Sequence, residues 1–95
     1  MGDDADEIIP GLWLGNCDAA QSVPFLKTNN ISHVASIIFR FHGLKVPTDI
    51  VKRKQFSLVD QPGEDLLQHL DNIFSFIDEG LNSGTGVLVH WYAKS

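Results

Sequence analysis

The sequence predicts an α/β domain on a central, mostly parallel sheet with helices, and three segments carry that reading. "ISHVASII" is β-branched and apolar and is bounded by Asn30 and a polar loop, as a strand is. A long amphipathic segment follows "QPGED", and after it "GVLVH" is a short unbroken apolar run of the kind found in parallel strands covered on both faces. Strand, helix and strand in that order make a right-handed crossover unit.

Ninety-five residues set one domain as the ceiling, and 43% hydrophobic with 20% charged residues excludes a chain disordered by composition. The formal net charge of -5 leaves no basic face, so neither nucleic acid nor an anionic membrane is an expected partner. Lys52, Arg53 and Lys54 are the one basic cluster and read as part of a solvated loop. A single cysteine, Cys17, excludes an internal disulfide and a thiolate zinc site, and no cofactor is implied. The acidic opening "MGDDADE" has neither the basic start nor the apolar core of a signal peptide, and no segment approaches the ~20 apolar residues of a membrane span. The expected location is the cytosol or the nucleus.

Residues 1–6 read as an acidic disordered tail and 7–95 as the domain. "EIIPGLWLGN" is two extended pieces broken at Pro10 and Gly11. "CDAAQSVPFLKTNN" is helical, with Asn16 or Asp18 capping a first turn and Ser22 capping a second that tolerates Pro24. His33, within the following strand, reads as a strand-edge or hydrogen-bonded histidine rather than a ligand. Arg40 to Arg53 reads as an irregular connection and "KQFSLVD" as a second strand. In the helix after it, Leu66, Leu70, Ile73, Phe74, Ile77 and Leu81 form one apolar stripe expected to lie on the sheet. Glu64 and Asp65 favour its start and Gly84 its stop.

"IIPGLWLGNCDAA", "ISHVASI" and "FSLVDQPGEDLLQHLDNIFSFIDEGLNSGTGVLVH", in this order and spacing, resemble the catalytic domain of the dual-specificity protein phosphatases, within the cysteine-dependent protein tyrosine phosphatase superfamily. The resemblance spans Glu7 to His90. It implies an incomplete protein-tyrosine-phosphatase-like fold that lacks the helices after the phosphate loop. In that family the last strand leads into a loop of pattern His-Cys-x-x-Gly-x-x-Arg-Ser. The cysteine attacks phosphorus, loop amides and the arginine hold the oxygens, and an aspartate protonates the leaving group.

The chemistry requires those residue types. A thiolate forms only where its pKa is lowered, and inward amides at a helix N-terminus do that while binding a dianion. Arginine presents a planar fork matched to two phosphate oxygens.

By this resemblance His90 matches the histidine before the nucleophile, and Trp91 stands where the cysteine belongs. Tyr92 and Ala93 fall on variable positions as a remnant of the phosphate loop, and Lys94 replaces the glycine. Asp60 matches the general-acid aspartate. Without a nucleophile its acid role is vestigial, and a turn or capping role competes with it. An indole is no nucleophile toward phosphorus, so the resemblance implies ancestry without catalysis.

Three readings stay open: an inactive, truncated phosphatase-like protein, whether pseudophosphatase or splice by-product; a variant of an active enzyme whose full-length form hydrolyses phosphotyrosine and phosphoserine or phosphothreonine in proteins; and a non-catalytic interaction module. Phosphoproteins or phosphatase regulators are the implied partners. Loss of the covering helices would leave the last strand with one bare face and invite self-association.

Overall fold

A computed structural model describes residues 5–38, 46–57 and 63–92. Five strands form one sheet: β1 (Ala5–Ile9), β2 (Leu12–Gly15), β3 (Ile31–Ile38), β4 (Lys52–Ser57) and β5 (Gly86–Tyr92). Their order across the sheet is β1-β2-β5-β3-β4. β2, β5, β3 and β4 run parallel, and β1 returns antiparallel beside β2. The helices are α1 (Cys17–Gln21), α2 (Val23–Thr28) and α3 (Gly63–Asn82).

Local chemistry fixes the ends of these elements. Pro10 and Gly11 turn β1 into β2, and the Gly11 amide donates to the Glu7 carboxylate at 2.9 Å. The Asn16 side chain caps α1 by accepting from the Ala19 amide, and Ser22 caps α2 by accepting from the Phe25 amide. Asn30 leaves α2 with φ of 54°, the left-handed conformation asparagine tolerates. Gly84 stops α3 with φ of 83°, its amide returning to the Leu81 carbonyl.

Alternation along the strands sends side chains to two layers. On one face Val34 and Leu88, paired in register, pack with Ala19, Ala20 and Leu26 of α1 and α2. On the other, Ala35 and Phe56 meet Ile73 and Phe76 of α3. His33 lies buried on this second face. It accepts from Ser32 at Nδ1 (2.6 Å), and its Nε2 meets the Glu79 carboxylate at 3.0 Å, which Lys52 also reaches at 2.7 Å. Both ring nitrogens are thereby used inside the protein.

Several expectations need correction. β1 opens at Ala5, inside the stretch assigned to the tail, because Ala5 and Asp6 pair with Gly15 and Leu14. β4 opens at Lys52, so the basic cluster is an edge strand and not a loop; pairing with His33, Val34 and Ala35 extends it. Leu58 to Asp60 lie outside the described residues. The buried stripe of α3 is Ile73, Phe76 and Gly80 with Ile77 beside it, whereas Leu70 and Phe74 are exposed. Helix α3 is rotated so that Glu79 reaches His33 and Lys52, which turns Phe74 toward the β2 side and out to solvent. β5 is not bare on one face: Val87 beneath α3 and Leu88 beneath α1 and α2 are both fully buried.

Candidate functional site

In open parallel sheets ligands bind outside the carboxyl ends of the strands. Four strands point that end the same way here, and one row of paired residues crosses it: Gly15, His90, Ser36 and Gln55. His90 and Ser36 are both 0% exposed. Ser36 Oγ lies 2.7 Å from His90 Nε2, and Arg53 Nε donates to the same Oγ at 3.1 Å. Arg53 Nη2 also donates to Gln55 at 3.1 Å. Three strands thus place arginine, serine and histidine in one hydrogen-bonded line.

Burial pushes the His90 pKa down to about 4, and the nearby Arg53 charge adds to the effect. The imidazole is therefore neutral at pH 7 and carries one N–H. Ser36 already accepts from Arg53, so its hydroxyl can donate to Nε2, which places the imidazole proton on Nδ1. That Nδ1 is buried without a hydrogen-bond partner among the described residues.

Beyond His90 the backbone of Trp91 and Tyr92 continues β5 beside Ile37 and Ile38. Ala93 and Asp60 lie outside the described residues. Cys17, remote in sequence, begins α1 two residues after Gly15, whose Cα pairs with His90. The fold therefore brings it to the same end of the sheet. Burial first, and then the Asp18 charge, raise its thiol pKa. That is the opposite of what a nucleophilic cysteine requires.

Sequence reasoning missed Ser36 and Arg53. A serine inside an apolar strand and an arginine inside a basic cluster gain meaning only from the register that sets them beside His90. Among the described residues no group of three His, Cys, Asp or Glu could hold a metal ion, and no helix is long and apolar enough to cross a membrane.

A central parallel strand carrying a buried histidine, flanked by β2 and β3 and backed by helices on both faces, defines the class: a three-layer α/β fold. Comparison with known proteins narrows it. The chain is 38% identical over 91 residues to dual specificity protein phosphatase 1B of Arabidopsis thaliana, covering 96% of this chain and 53% of that protein. It is 36% identical over 94 residues to dual specificity protein phosphatase 22 of Xenopus laevis, covering 98% and 43%.

Among solved structures, human tyrosine phosphatase-like serine/threonine/tyrosine-interacting protein aligns with a TM-score of 0.79 at 29% identity, covering 94% of this chain and 62% of that one. The chain belongs to the dual-specificity protein phosphatase family. It spans about half the length of these two relatives. No protein-family profile matches it.

Proposed function

We propose that this chain is a phosphatase-like module that binds without hydrolysing phosphate esters. One observation carries the reading: β5 holds buried His90 near the carboxyl end of the sheet, beside the last residue of β2, and the residue that follows is Trp91. The family's reaction begins with a thiolate at that place, and an indole offers neither the charge nor the lone pair for attack on phosphorus. Cys17 is close by topology, but its raised pKa keeps it a thiol at neutral pH. Arg53, the cation beside that row, is already engaged by Ser36 and Gln55.

The natural ligands of such a module are phosphoproteins or regulators of active phosphatases. A structural neighbour described as a phosphatase-like interacting protein supports a binding role for this fold. A second reading draws on the relatives' names and on the half-length match: a longer form of this protein would hydrolyse phosphotyrosine and phosphoserine or phosphothreonine.

Turnover of an aryl phosphate at millimolar concentration tests the first reading, with and without vanadate and beside a Cys17→Ser variant. No vanadate-sensitive turnover is expected from the chain. Turnover that vanadate or Cys17→Ser abolishes would overturn it.

A further inference from the structure

The two edges of the sheet carry opposite charge. β1 presents Asp6 and Glu7 at one edge, and β4 presents Lys52, Arg53 and Lys54 at the other. An edge strand is a row of unpaired backbone groups, and lysines there ordinarily deter pairing with another chain. That deterrent acts between two β4 edges, and Asp6 with Glu7 acts likewise between two β1 edges. Between a β1 edge and a β4 edge the charges attract.

The register makes this attraction specific. Following the pairs across the sheet, Asp6 lies in one row with Leu14, Val89, Ala35 and Lys54. Glu7 lies in the next row with Trp13, Leu88, Val34 and Arg53. β1 is antiparallel to the four other strands. A second copy in the same orientation would therefore set its β4 antiparallel against β1, with the same faces up. With the rows continued unshifted, Asp6 meets Lys54 and Glu7 meets Arg53, each directly opposite.

We infer that β1 and β4 form a head-to-tail junction between copies of this chain, with Asp6–Lys54 as its principal cross-strand ion pair. Glu7 is hydrogen-bonded within its own copy to the Gly11 amide, and Arg53 to Ser36 and Gln55, whereas among the described residues Lys54 holds only a cation–π contact 5.6 Å above the Phe56 ring, so Asp6 and Lys54 are the deciding pair. Exposed Ile8 and Ile9 of β1 add apolar area at the same edge. The contact is heterologous and each copy keeps a free edge, so assembly is open-ended. Sheet twist of ~20° per strand turns each copy by roughly 100° from the last.

Sedimentation velocity over a concentration series, at low and high salt, tests the junction. The chain is expected to form a series of oligomers that salt weakens. Lys54→Glu and Asp6→Lys, both at exposed positions, should each raise the apparent dissociation constant about tenfold by setting like charges opposite. Mixing the two variants restores complementary junctions, as does combining both changes in one chain, and either should recover assembly.

Three results would overturn the inference. One is a chain that stays monomeric throughout the series. Another is assembly indifferent to both single reversals, which would place it on the exposed Leu67, Leu70 and Phe74 of α3. The last is single variants that lose assembly and do not regain it on mixing.

Discussion

Replacing Gly80 by alanine sets two effects of opposite sign against each other. Inside a helix the change ordinarily stabilises by roughly 0.5–1 kcal/mol, because glycine loses more backbone entropy on folding. Gly80 lies buried against β5 and β3, with no room for a side chain. A Cβ built there would sit 2.2 Å from Val87 Cγ2, with His33 Cγ and Cβ at 3.1 and 3.2 Å. Val87 is a fully buried β-branched residue whose χ1 has little room, so the helix or the strand must shift.

Overpacking of this kind costs about 1–3 kcal/mol. The clash outweighs propensity, and the net loss should be about 1–2 kcal/mol. In a domain of this size that lowers Tm by roughly 5–15 °C. Urea titration followed by far-ultraviolet circular dichroism reads the loss directly, and adding Val87→Ala removes the clashing methyl. The double variant should then be more stable than the sum of the single effects by at least about 1 kcal/mol. A Gly80→Ala protein as stable as the parent, or strictly additive behaviour, would refute the packing of α3 on β5.

The remaining predictions concern burial, pH and caps. Phe76→Ala should cost about 3–5 kcal/mol, since its ring is 4% exposed and makes edge contacts with His33 and Phe56 at 5.3 and 6.2 Å. Phe74→Ala, at 59% exposure, should cost under about 1 kcal/mol, and equal losses in denaturation would mean that α3 is rotated differently. His90 has a folded pKa of about 4 against an ordinary 6.5, so the unfolded chain binds the extra proton. Its contribution is complete above pH 6.5 and is lost as pH falls toward 4, by up to about 3 kcal/mol.

His90→Asn should flatten the dependence of unfolding free energy on pH between 6.5 and 4.5. A slope unchanged by that substitution would place its source elsewhere. Glu79, lowered first by its hydrogen bond with Lys52 and then by that with His33, loses its contribution only on further acidification through the carboxylate range. Asn16→Ala and Ser22→Ala should each cost about 1 kcal/mol in thermal melts through loss of a helix cap.

Much of the fold was legible in the sequence because its signals are local. The β-branched run from Ile31, the Pro10–Gly11 turn, the caps at Asn16 and Ser22 and the stop at Gly84 each depend on residues within a turn of one another. β4 was only half legible: Lys52 and Lys54 stand on one side and Arg53 and Gln55 on the other, a polar alternation that an edge strand shares with a loop. Phe76 lost to Phe74 in the helix reading because α3 has apolar residues around about half its circumference. Which arc faces the sheet is settled by Glu79 reaching across to His33 and Lys52. The candidate site was legible at His90 alone, since Ser36 lies fifty-four residues away in sequence and its role exists only through register.

The place of β5 in the sheet has a consequence for how the chain acquires its structure. β5 is synthesised after the other four strands, yet it sits between β2 and β3 and pairs with both. Until it is inserted, β2 and β3 have no common neighbour and their inward-facing edges stay unpaired. Every contact that closes the sheet joins residues 86–92 to residues 12–15 or 31–38, so the slow loop closures come at the end of folding rather than the beginning. Until residues 86–92 have been synthesised a nascent chain holds two open strand edges, and that interval is when it is most exposed to mispairing and most dependent on chaperones.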